Sequence, residues 1–118
     1  MTLAAASGFV SVGVGAFAAH GLKDANAREL MKTGASYEFM HALATFACAT
    51  FMQVGAARAR LAPPFFLAGT VLFCGSLYAL ALGAPRLTGA VTPLGGLLFL
   101  TGWSVLAWAA MDVDQMRA

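Results

Sequence analysis

Residues 64–84 read PFFLAGTVLFCGSLYALALGA and contain no charged side chain. About 20 predominantly apolar residues are enough for a helix to cross the hydrocarbon of a bilayer. Counted from Pro63, the run spans 63–84. Proline suits the first helical turn, because the N–H it lacks is unpaired there anyway. Three comparable runs accompany it, at 3–19, 37–57 and 88–111, none with a Lys, Arg or Asp, and with Glu38 as the one acidic residue. The expected fold is an all-α integral membrane protein of one domain, residues 1–118. It is read as a four-transmembrane-helix up-and-down bundle.

The totals agree with the bilayer as solvent. Of 118 residues, 60% are hydrophobic and 10% charged, with seven Lys or Arg against five Asp or Glu. A soluble domain of ordinary composition carries about 25% charged residues. A net charge of +2 with scattered cations gives no nucleic-acid footprint. Cys48 and Cys74 lie inside apolar runs and read as small hydrophobes rather than as a disulfide or metal framework. Ala16-Phe17-Ala18 imitates a signal-peptide cleavage site, but no basic residue precedes the apolar run.

The one long polar connection is 21–36. Asn26 and Glu29 have capping-box spacing. That predicts a short amphipathic helix over 27–32, with Leu30 and Met31 resting on the membrane interface, and Gly34 bending the chain into the second span. One long helix from Ala27 to Ala57 is the alternative. Pro93 either opens the last helix, capped by Thr92, or kinks a helix begun near Leu87.

Small residues at four-residue spacing mark packing faces. Ser11, Gly15 and Ala19 form one stripe, and Gly75, Ala79 and Gly83 another. Gly95 and Gly96 are further packing candidates. Lipid tails give helices no hydrophobic reason to associate, so close backbone approach supplies the contact. Trp108 fits an interfacial anchor.

Up-and-down helices create two ends. Side A carries the N-terminus, the loop at 58–64 and the C-terminus. Side B carries the 21–36 connection and the 85–93 loop. His20, Lys23, Tyr37, Glu38, His41, Tyr78, Arg86 and Thr92 all belong to side B on this reading. Glu38 and His41 are three apart and share a helix face. With the span starting at Tyr37, His41 lies about 6 Å below the boundary. Ionisable groups at membrane depth are functional candidates by default.

Four roles suit the cluster. It can be structural, with Glu38 paired to Arg86 or Lys23. It can hold a metal or haem through His20, Glu38 and His41, although a di-iron site needs carboxylates that the spans lack. It can move protons or a small solute, since histidine changes charge near neutral pH. It can recognise a lipid headgroup or a protein. A hydrolase reading is poor, because Ser76 and Ser104 have no base and carboxylate in recognisable order, and Asp112 and Asp114 fall on side A.

Four segments carry a resemblance: Gly15-Ala16-Phe17-Ala18-Ala19-His20-Gly21-Leu22-Lys23, Tyr37-Glu38-Phe39-Met40-His41-Ala42-Leu43-Ala44, Cys74-Gly75-Ser76-Leu77-Tyr78 and Thr92-Pro93-Leu94-Gly95-Gly96. In this order they resemble the signatures of the small bacterial inner-membrane family called domain of unknown function 423. Ala18 departs from the glycine common there. The resemblance implies a multi-pass protein of the bacterial cytoplasmic membrane, with no established activity to carry over. Small multidrug exporters, also four-helix proteins, use a glutamate in helix one, which this chain lacks at 3–19.

The expected role is therefore a non-catalytic bundle without a cofactor. Its partners are the lipid bilayer and either further copies of itself or a larger membrane complex. A transporter or proton conductor using His20, Glu38 and His41 is the runner-up, and a metal- or haem-binding protein the third reading. Side A carries three cations and side B four, so charge leaves the orientation open.

Overall fold

The computed structural model describes residues 1–117, all helix and connecting turns, in a bundle 53 Å long and 26 by 21 Å across. Helix α1 is Thr2–His20 and α2 is Ala25–Gln53. A 3-10 turn at Ala57–Leu61 leads into α3, Pro63–Gly69. A π turn at Thr70–Cys74 joins α3 to α4, Gly75–Ala81, making one rod. A second 3-10 turn, Arg86–Ala90, precedes α5, Thr92–Arg117.

Three stretches are long and apolar enough to cross a membrane: Thr2–His20, Ala57–Ala81 and Arg86–Arg117. Helix α2 is the longest but more polar, and the reason lies in which way its residues face. Arg28, Glu29 and Lys32 occupy its first turns, and Glu38 and His41 point inward. Its outward residues Phe39, Met40 and Leu43 remain apolar. Phe9 on α1 is 83% exposed and Leu87 82%, a surface suited to lipid rather than water.

The interfacial helix expected at 27–32 is not a separate element, because those residues form the first turns of α2. The expected capping box is also replaced. Asp24 caps the helix, its carboxylate accepting the Ala27 N–H at 2.8 Å. Gly34 makes no bend. It sits within α2 against the Tyr78 ring, and an added Cβ would come within 2.5 Å of that ring.

Helices α2 and α4 end in the same way. Gly55 has φ +98°, and the Ala56 N–H reaches back to the Phe51 carbonyl while the Gly55 N–H reaches Met52. Gly83 has φ +101°, with Ala84 bonded to Ala79 and Gly83 to Leu80. Both are Schellman caps, which need a left-handed residue just past the helix. Gly83 is thus a helix stop and not the packing residue expected of it. Gly75 has open space where its Cβ would be, so nothing within the chain packs closely at that position.

The close contacts lie on α5 instead. A Cβ on Gly95 would sit 2.7 Å from the Phe73 Cβ, and one on Gly102 would sit 2.6 Å from the Phe66 ring. Gly69 is equally tight against the Phe99 ring. Gly96 has only ordinary contact with Phe73 at 4.0 Å, as Gly15 has with Ala35. Phenylalanines enter glycine notches from both sides of the seam. Buried Ala44, Cys48, Phe66, Cys74, Phe99 and Leu106 complete the core.

The polar core around Glu38 and His41

Glu38 stands thirteen positions beyond Ala25, about 20 Å along α2. The expected position just under the side B boundary is therefore corrected. Helix α2 starts twelve residues before Tyr37, which brings Glu38 and His41 to the middle of the bundle. Both are buried, at 6% and 2% exposure.

Two hydroxyls hold Glu38. The Tyr78 hydroxyl donates to Oε1 at 2.8 Å, and the Ser7 hydroxyl donates to Oε2 at 2.8 Å. This joins α1, α2 and α4 at one carboxyl group. Neither Arg86 nor Lys23 reaches it: both are exposed at the side B end.

His41 is fixed by two partners of opposite kind. Its Nδ1 lies 2.7 Å from the Tyr37 carbonyl, which can only accept. Its Nε2 lies 3.0 Å from the Trp103 Nε1, which can only donate. The two bonds are satisfied together by the neutral ring protonated at Nδ1. The imidazole stacks on Phe99, with centroids 3.6 Å apart and planes 9° from parallel. Tyr37 contributes its carbonyl here, while its ring packs on Phe73 at 4.7 Å. The Thr45 hydroxyl donates to the His41 carbonyl at 2.9 Å.

Thr92 belongs to a separate polar pair. The Ser76 hydroxyl donates to the Phe73 carbonyl at 2.9 Å, next to the π turn. Its oxygen is then free to accept from Thr92. Thr92 and Pro93 are the first two residues of α5, so Pro93 lies at the helix start, but the Thr92 hydroxyl goes to Ser76 and is not the cap expected of it. His20 closes α1 at side B, exposed and far from Glu38, so the ligand set His20, Glu38 and His41 does not come together. Among the described residues, no three His, Cys, Asp or Glu side chains converge on a point.

The structure adds two members that sequence pattern does not reveal, Ser7 and Trp103. Both lie in apolar helices at positions that look like packing or lipid-facing residues. Only the three-dimensional register shows that each bonds to α2. A cavity of about 420 Å³ adjoins this core on the side A half, between α1, α2 and α3. Ser7 and His41 line its inner part, and Arg60, Pro63 and Pro64 its outer part. At the same end Arg58 pairs with Asp112 at 3.4 Å and lies 4.2 Å over the Trp108 ring.

An apolar helical bundle with a small, internally bonded polar core is a membrane protein, and similarity to known proteins gives its family. Residues 14–96 match the family model described as "Protein of unknown function (DUF423)", and the chain belongs to that family. It is 44% identical to a UPF0382 membrane protein of Haemophilus influenzae, over 98% of this chain and 96% of the relative. It is also 44% identical to the UPF0382 inner membrane protein YgdD of Escherichia coli K12, over 98% of this chain and 91% of the relative. A UPF0382 membrane protein of Schizosaccharomyces pombe is 35% identical, over 88% and 94%. The protein is a small membrane protein of an uncharacterised family. No solved structure matches the chain.

Proposed function

We propose that the protein is a four-helix, multi-pass component of the bacterial cytoplasmic membrane, non-catalytic and without a cofactor, packing with itself or within a larger complex. In this reading α2 crosses beside the three more apolar stretches, its polar residues turned inward and Phe39, Met40 and Leu43 turned to lipid. The carrying observation is that both oxygens of Glu38 and both nitrogens of His41 have partners within the chain. Buried polar groups bonded in this way specify one arrangement of the helices. The open face at Gly75 supports an outward contact with another helix.

The test uses the purified protein in liposomes with a trapped pH indicator. The expected result is no protein-dependent proton flux, while Gly75→Leu removes self-association or co-purified partners and His41→Ala does not. A second reading, proton conduction, is favoured by the cavity that reaches Ser7 and His41. Flux that disappears in Glu38→Gln overturns the first reading in favour of the second.

A further inference from the structure

We infer that the side A cavity is a binding site for a single-chain anionic amphiphile of the fatty-carboxylate class. The charge falls at Arg60 and the chain runs inward toward Thr70 and His41. The space is about 420 Å³, within the range of pockets that hold small molecules. Leu3, Ala4, Pro64, Phe66 and Leu67 give it mainly apolar walls.

Two of the three hydroxyls on its walls are engaged. The Ser7 hydroxyl is given to Glu38 and the Thr45 hydroxyl to the His41 carbonyl. Thr70 is then the one hydroxyl on the lining without a hydrogen bond among the described residues, so the inner wall is mainly apolar and a hydrocarbon chain loses little by entering.

The outer part is different. Arg60 is the one charged side chain on the lining, and it makes no ion pair among the described residues. Its neighbour Arg58 shows the contrast, since it is satisfied by Asp112 and by the Trp108 face. A guanidinium at the mouth of an apolar cavity, beside the level of the anchoring tryptophan, complements a carboxylate bidentately. A space of about 420 Å³ suits one hydrocarbon chain rather than two. This site is separate from any partner contact at Gly75.

The test is photolabelling of the full-length protein in nanodiscs with a diazirine-bearing oleate, the labelled residues being mapped by mass spectrometry. Its companions are the matching diazirine alcohol and a diazirine phosphatidylglycerol. Oleate is expected to label residues of the 42–45 and 67–70 walls, and Arg60→Gln to lower that labelling at least fivefold. Leu67→Trp, at a half-exposed position that tolerates a larger side chain, is expected to block it with the thermal transition unchanged. Equal labelling by the alcohol, or oleate labelling indifferent to both substitutions, overturns the proposal. Labelling of these walls by the phosphatidylglycerol alone also overturns it, assigning the cavity to bilayer lipid.

Discussion

Helix α1 and helix α5 are both apolar, both rich in small residues, and attached to the bundle in opposite ways. Helix α5 is notched: Gly95 and Gly102 meet Phe73 and Phe66 at distances that exclude any added carbon. Helix α1 packs along α2 and forms no comparable seam with another helix. Its Gly15 has ordinary clearance, and clefts separate it from α3 and α4 on either side of Ser7. The Ser7 hydroxyl adds a hydrogen bond to Glu38 on α2, and the other oxygen of that carboxyl accepts from Tyr78 of α4, so Glu38 links α1 to α4 beside the cleft. Tight notches hold α5 against two elements, whereas α1 rests on α2 alone, through small buried residues and one polar bond, so the two should fail differently.

The largest expected effect is at the notched seam. Gly95→Leu should cost about 3 kcal/mol or more, because the Phe73 backbone and Cβ cannot retreat without shifting the rod. Thermal unfolding in detergent, followed by circular dichroism, checks this. A loss below about 1 kcal/mol would mean the seam is looser than the geometry shows.

Glu38→Ala comes next, at about 2–3 kcal/mol, since it strands the Tyr78 and Ser7 hydroxyls in a buried space. Glu38→Gln keeps an acceptor and the side-chain volume, and should cost less than half as much in the same assay. Equal losses would show that the carboxyl charge, and not the bonding pattern, matters.

Ser7→Ala should cost about 1 kcal/mol. The sharper readout is local: hydrogen exchange should quicken along α1 and stay unchanged in α5. Uniform quickening would place α1 inside the same cooperative unit as the rest. Smallest of all, Gly15→Ala should leave stability unchanged or raise it by under about 1 kcal/mol, because there is room for the methyl and helical glycine is entropically costly. A clear loss there would mean that α1 sits closer to α2 than the 4.0 Å to Ala35 indicates.

Much of the fold is legible in the sequence. Apolar run length locates three of the long helical stretches, and Pro63 and Thr92 mark helix starts at or beside where they occur. The start of α2 is not legible in the same way. Arg28, Glu29 and Lys32 suit either a separate short helix at 27–32 or the start of one long helix from Ala27, and hydropathy does not choose between them. The structure takes a form close to the second, because an exposed helix end tolerates these charges. That one boundary moves Glu38 and His41 from the edge of the bundle to its middle. The candidate site is legible in part: Tyr37, Glu38, His41 and Tyr78 do meet, while His20, Lys23 and Arg86 do not.

Composition and spacing determine what kind of solvent this chain needs and which residues must be hidden in it. Run length and charge depletion are local quantities, and an ionisable residue in an apolar run has to face inward whatever its neighbours are. Tertiary structure alone decides the partners, because pairing depends on how helices are rotated and shifted against one another. Ser7 is thirty-one residues from Glu38, and Trp103 is sixty-two from His41. No periodicity within one helix encodes such a match. The same holds for the glycines, where Gly75 and Gly95 look alike in a sequence and only the arriving Phe73 makes one of them a notch.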